Sequence, residues 1–177
     1  MPRDVTQEKG SSGSRKWLTA FSRIAIVNRG EAAMRLIRAA REVEVEQGSP
    51  LTTIALYTDV ERNAMFVREA DEAVLIGPAD PVGDGAAFGA SPYLDDAELE
   101  RALRECRADA AWPGWGFVSE KAEFAELCDR LGITFIGPPA EVMRQLGDKI
   151  EAKRLAGQVG VPLAAWSGGA VALTISG

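Results

Sequence analysis

From residue 24 onward, short unbroken apolar runs take turns with longer stretches in which apolar residues recur every three or four positions. The first run, 24–27, suits a strand buried on both faces. Asn28, Arg29 and Gly30 turn the chain, and 31–46 reads as a helix with Ala33, Leu36, Ile37, Ala40 and Val43 facing inward. The β-branched stretch 52–57 predicts a second strand, followed by a short helical stretch around 62–70 and a third strand over 73–76. A Gly-, Pro- and Ala-dense loop covers 77–92, longer than the ~12–15 residues that compact domains usually tolerate without a functional reason. Further on, the pattern predicts a helix over 94–107, with Asp95 and Asp96 favourably placed at its start. A short strand over 108–111 and a Gly/Pro turn over 112–117 come next. Ser119 is a good N-cap for a helix over 120–131. A fifth strand over 133–136 and helices over 140–146 and 149–159 complete the pattern.

Strand alternating with helix predicts an α/β fold: a doubly wound, mostly parallel five-stranded sheet with helices on both faces, Rossmann-like in outline. Ligands of such sheets sit beyond the carboxyl ends of the strands. That rule singles out 28–31, 59–62, the loop after Gly77, and 112–120. The expected organisation is a polar tail over 1–22, rich in Gly, Ser and charge, with Trp17, Leu18 and Phe21 docking its end. One domain over 23–160 and a Gly-rich segment over 161–177 follow.

Composition narrows the chemistry. The 177 residues are 46% hydrophobic and 26% charged, as in a soluble globular domain. The net charge of −6 argues against nucleic-acid binding through a basic surface. There is no histidine, which removes Ser-His-Asp and Cys-His catalysis and histidine metal sites from this chain. Cys106 and Cys128 fall in helical stretches at a spacing that suits neither a zinc motif nor a redox pair, so they read as core thiols of a reducing compartment. The polar start predicts no secretory signal, and no apolar run approaches the ~20 residues of a membrane span.

The remaining candidates are few. Asn28-Arg29-Gly30-Glu31 opens a helix, where backbone amides could receive an anion, although the residues by themselves favour a structural turn. It is not a G-x-G-x-x-G loop. Arg38 and Glu42, four apart, read as a solvated ion pair or, with Arg35, as an interface face. Trp112, Trp115 and Phe117 crowd a turn in which Gly114 and Gly116 let a backbone or ligand come close; they read as core or as a pocket wall. Glu120 reads as a favourable charge near a helix start. Asp148 and Glu151 have the spacing of a capping box, which leaves Lys149 in a first helical turn, where a cation suits a phosphate partner.

Taken together, these segments resemble the biotin carboxylase N-terminal domain, the domain that precedes an ATP-grasp fold. The resemblance runs from Arg23 to about Gly169. It is carried by 23–31, by 70–73 with Ile76-Gly-Pro78, by Pro113-Gly-Trp-Gly-Phe-Val-Ser-Glu120, by Phe135-Ile-Gly-Pro138, by Gly147-Asp-Lys149 and by Gly160-Val-Pro162. Most members of the family have His and Tyr at the positions of Trp112 and Trp115. The tryptophan pair, Gly137-Pro-Pro139, 146–150 and Trp166-Ser-Gly168 are similar to the multidomain acetyl-CoA carboxylase branch.

The resemblance implies an ATP-dependent ligase of fatty acid biosynthesis that carboxylates carrier-bound biotin with bicarbonate, as the first half-reaction of an acyl-CoA carboxylase. It implies ATP and Mg2+, bound mainly by an ATP-grasp part outside this chain, and biotin on a carrier domain. It implies Lys149 against the ATP phosphates and Gly114, Trp115 and Gly116 beside biotin and bicarbonate. It implies Arg38 and Glu42 at a homo-oligomer interface. Catalytic base, magnesium carboxylates and bicarbonate arginine are expected past Gly169, so no catalytic or metal residue is assigned here and the chain alone is expected to be inactive. Its expected partners are the ATP-grasp, biotin carboxyl carrier and carboxyltransferase domains, with no nucleic acid and no membrane, in the cytoplasm. Two other readings are a free-standing nucleotide- or carboxylate-binding module, and a truncated product without function.

Overall fold

The computed structural model describes residues 21–77, 91–147 and 149–164, with Lys149 described in its backbone only. Expectations for the tail over 1–20, for most of the long loop, for Asp148 and for Trp166 to Gly177 fall outside the described residues.

Five parallel strands form one sheet in the order β3-β2-β1-β4-β5: β1 (Arg23–Ile26), β2 (Thr52–Tyr57), β3 (Glu72–Leu75), β4 (Ala110–Trp112) and β5 (Thr134–Phe135). The central strand β1 pairs with β2 on one side and β4 on the other, Ile26 lying opposite both Ala55 and Trp112. Period-two alternation sends its side chains to two cores. Ile24 and Ile26 face α1 (Gly30–Gln47) and α2 (Met65–Glu69), against Ala33, Ile37, Ala40 and Phe66. Ala25 and Val27 face α3 (Asp96–Glu105) and α4 (Ala122–Leu131), against Leu99, Leu103, Phe124 and Leu127. The doubly wound α/β expectation is met, with helices on both faces.

The helices form where the apolar period predicts, and their ends follow local chemistry. Asp95 caps α3, its carboxylate accepting from the amides of Ala97 and Glu98. Ser119 does not cap α4: residues 117–120 continue the turn, the Ser119 amide donates to the Gly116 carbonyl, and α4 begins at Ala122. Two residues that side-chain identity assigned to the helix, Glu120 and Lys121, thus precede it. Phe21 packs under β1 as expected, and both cysteines are buried thiols. Burial, with the Asp129 carboxylate nearby, pushes the Cys128 thiol up to about 12, which keeps it protonated and unreactive. After α4, α5 (Ala140–Gly147) packs Met143 against Ala122 and Ala125, and α6 (Lys149–Gln158) follows.

Polar clasps close the amino ends of the strands. Arg23 makes a bidentate pair with Glu72, at 2.8 and 2.7 Å, and also donates to the Cys106 carbonyl at 2.8 Å. It thereby ties β1, β3 and the end of α3 together. The Asp71 carboxylate accepts from the buried Thr53 through its amide at 2.8 Å and its hydroxyl at 2.6 Å. Partial burial works to raise the Asp71 carboxyl, but the Thr53 hydroxyl and amide outweigh it and hold the group below its ordinary range. The folded state thus binds this proton less readily than the unfolded chain. Its stabilising contribution is complete above the ordinary aspartate pKa of about 3.9 and is lost as pH falls through the lowered value. Urea midpoints of the native chain and of Asp71→Asn, followed from about pH 7 to about pH 3, are expected to converge on the acid side. A constant gap would show that the carboxylate charge contributes nothing.

Candidate functional site

The strand order places one break in direction: the chain winds outward from β1 through β2 to β3, then crosses back to β4 on the other side of β1. A crevice opens at such a switch point, beyond the carboxyl ends of the two strands between which the direction reverses. Here those are β1, which runs on into Asn28, and β4, which runs into Pro113–Gly116.

Asn28 is 3% exposed and joins the two. Its side-chain amide donates to the Pro113 carbonyl at 2.6 Å and to the Trp115 carbonyl at 2.8 Å, while its oxygen accepts from the Arg29 amide at 2.8 Å. The two carbonyls fix the orientation of the amide, because a flip would set its oxygen against both of them.

The turn held in this way is conformationally unusual. Gly114, Gly116 and Phe117 all have positive φ, at 63°, 75° and 46°. Phe117, a bulky side chain in the left-handed region, is strained and must be held by its surroundings. Its ring lies 4.8 Å from that of Tyr93, and the Arg29 guanidinium sits 5.5 Å from its centroid. Gly114 is needed for a second reason: a Cβ there would stand 2.6 Å from the Trp112 indole. Trp112 and Trp115 meet edge to face at 6.3 Å, and Trp115 is left 58% exposed at the mouth of the crevice.

Behind the turn lies a charge-linked support. Thr58 and Glu61 form a capping box after β2, with the Glu61 carboxylate accepting from the Thr58 amide at 2.9 Å and hydroxyl at 2.7 Å. The same carboxylate accepts from the Tyr93 hydroxyl at 3.0 Å and pairs with Arg29 at 3.3 Å. Burial first, then the Glu61 carboxylate, hold the Tyr93 phenol far above the ordinary tyrosine range, so it stays a donor. With its lone pairs engaged by four donors, Glu61 is a structural anchor rather than a general base. The chemistry this arrangement offers is a rigid aromatic wall.

On the far side of the turn, Ser119, Glu120, Pro138, Val142, Met143, Leu146 and Gly147 line a cavity of about 400 Å3. The backbone of Lys149 opens α6 two residues past Gly147 of that lining. Arg38 and Glu42 lie elsewhere, exposed on α1. They form no ion pair with each other. The ion pairs of that face are Arg35–Glu31 at 2.7 Å and Arg41–Glu69 at 3.1 Å. Among the described residues no cluster of acidic or cysteine side chains could hold a metal ion. Sequence reasoning noticed Asn28 and the turn separately and missed that they are joined. It singled out 59–62 without finding the role of Glu61, although Thr58-x-x-Glu61 is a readable capping box, and it missed Tyr93.

Comparison with known proteins shows the family. Residues 20–143 match the family "Biotin carboxylase, N-terminal domain". The chain is 38% identical over 154 residues to the methylcrotonoyl-CoA carboxylase subunit alpha of Arabidopsis thaliana, covering 87% of this chain and 19% of that protein. It is 38% identical over 156 residues to the biotin carboxylase of Haemophilus influenzae, covering 88% and 32%. The crystal structure of a biotin carboxylase–β,γ-ATP complex from Campylobacter jejuni superposes with a TM-score of 0.74 at 34% identity, covering 86% of this chain and 31% of that one. The chain belongs to the biotin carboxylase N-terminal domain family. It spans less than a third of the length of each of these three relatives.

The two glycines of the turn separate two costs. Gly116→Ala, with open space around its Cβ, is expected to lose only the left-handed backbone penalty of roughly 1–2 kcal/mol. Gly114→Ala adds the collision with Trp112 and is expected to lose more. Urea denaturation of both variants decides this; equal losses would show that the indole moves aside freely.

Proposed function

We propose that this chain supplies one wall of the active site of an ATP-dependent biotin carboxylase, which carboxylates carrier-bound biotin with bicarbonate as the first half-reaction of an acyl-CoA carboxylase. The observation that carries this reading is the clamped Gly114-Trp115-Gly116 turn at the sheet's switch point, in a chain of this family. Trp115 presents a flat apolar face to a ring system, and Gly116, with open space where a Cβ would stand, leaves the backbone bare for a small anion. Lys149, in the first turn of α6, offers an ammonium where helix amides also favour phosphate. In this reading these groups bind and orient. The described residues build no magnesium site, and no step is assigned to that ion within this chain.

The reading extends to the surroundings. Val142, Leu146, Leu155, Val159, Val161 and Leu163 leave an apolar surface exposed on and after α5 and α6. A surface of that kind fits burial against a following ATP-grasp domain. Biotin carboxyl carrier and carboxyltransferase domains complete the assembly, and the cytoplasm is the compartment that two free cysteines suit. Arg38 and Glu42, exposed and unpaired with each other, are available for a contact between copies. No helix among the described residues is long and apolar enough to cross a membrane.

The test is bicarbonate-dependent carboxylation of free biotin, read as ATP cleavage, by the polypeptide or assembly that contains this chain. Lys149→Glu turns a charge-assisted contact into a repulsion and is expected to raise the KM for ATP by about tenfold or more. An unchanged KM for ATP would remove Lys149 from the site. Absence of biotin-dependent ATP cleavage in the native assembly would overturn the reading itself.

A further inference from the structure

Three of the four residues from Gly114 to Phe117 are left-handed, one of them a phenylalanine, and this occurs beside the most exposed large aromatic face at the crevice. A strained turn persists only where its neighbours over-determine it. Two neighbours do so. The Tyr93 ring and Arg29 hold Phe117 at the end of the turn. Asn28 holds the start and middle, and among the described residues it alone reaches the carbonyl of Trp115. Among the described residues no polar contact holds the indole itself; its neighbour is the edge of Trp112. The direction in which Trp115 points is therefore set through its own carbonyl, from the other side of the crevice.

We propose that Asn28 is the positioning residue of this site: its side-chain amide fixes the Gly114-Trp115-Gly116 turn and so the attitude of Trp115 toward the substrate ring. Asn28 does not touch substrate. It acts by giving both amide protons to carbonyls of the turn, that of the buried Pro113 and that of Trp115. The proposal deepens the reading of the turn as the biotin and bicarbonate wall, and its effect on kinetics rests on that reading.

Asn28→Asp is the sharpest variant, because it keeps the shape while replacing two donors by an oxygen that repels both carbonyls. Asn28→Ser, which keeps one short donor, serves if the aspartate variant does not fold. The first readout is the indole N–H resonance of Trp115 in the 177-residue chain, assigned among its four tryptophans by Trp115→Phe. Either Asn28 variant is expected to shift and broaden it. Leu103→Ala, which opens a cavity beneath α3 and lowers the melting temperature, is expected to leave it in place. The second readout is steady-state kinetics of the complete enzyme. The KM for biotin is expected to rise by on the order of tenfold to a hundredfold, with the KM for ATP unchanged.

An unmoved Trp115 resonance in the Asn28 variants, or an equal movement in Leu103→Ala, would overturn the positioning role. So would equal rises in the KM for biotin and for ATP. Should the native enzyme not carboxylate biotin at all, the reading of the site falls, and the Trp115 resonance still decides what Asn28 does.

Discussion

A parallel strand with partners on both sides and helices on both faces has only one place left to meet a ligand: its end. β1 is such a strand. Ile24, Ala25, Ile26 and Val27 are each no more than 2% exposed, so every side chain along its length is committed to packing. The first residue released from that duty is Asn28, and it too is buried. Its polar atoms must be satisfied there, and the carbonyls that its amide meets belong to the chain leaving β4. The crevice at the switch point and the clamp across it are thus two results of one constraint, the complete burial of the central strand.

The clamp explains why strain can be kept in the turn. Phe117 in the left-handed region costs free energy, yet its ring gains a tilted contact with Tyr93 and a cation above it. Tyr93 in turn is held by Glu61 and by the Leu56 carbonyl at 2.8 Å, at the end of β2. Three strand ends therefore converge on one turn: β1 through Asn28 and Arg29, β2 through Glu61, and β4 through the turn itself. Loosening any one would let the backbone relax toward ordinary φ values and carry Trp115 with it. The site is rigid because it is built on strand ends, not because its own residues are stiff.

Much of this was legible in the residue pattern. The apolar runs mark all five strands to within a residue or two, because buried parallel strands are continuous rather than alternating. The helices follow from their apolar period, and α1 buries Ala33, Ile37 and Ala40 as the period requires. The start of α4 was not legible: Ser119 has the chemistry of a cap, but the tertiary clamp prolongs the turn past it. The joining of Asn28 to Trp115 could not be read either, since it spans 87 residues and depends on strand order, which a single sequence leaves open. Glu61 is the intermediate case: its capping box is local and readable, whereas its service to Arg29 and Tyr93 is tertiary.

The electrostatics of the site point to a division of labour. Around the turn Glu61 is engaged by Thr58, Tyr93 and Arg29, and Arg29 by Glu61 and the Phe117 ring. What the turn retains is shape: an exposed indole, an open glycine position at Gly116 and a cavity on its far flank. In the function proposed above, such a shape binds and orients, and the bond-forming groups lie elsewhere. A wall with no chemistry of its own can be held rigidly at no cost to catalysis, and the buried amide of Asn28 is suited to that task because it carries no charge.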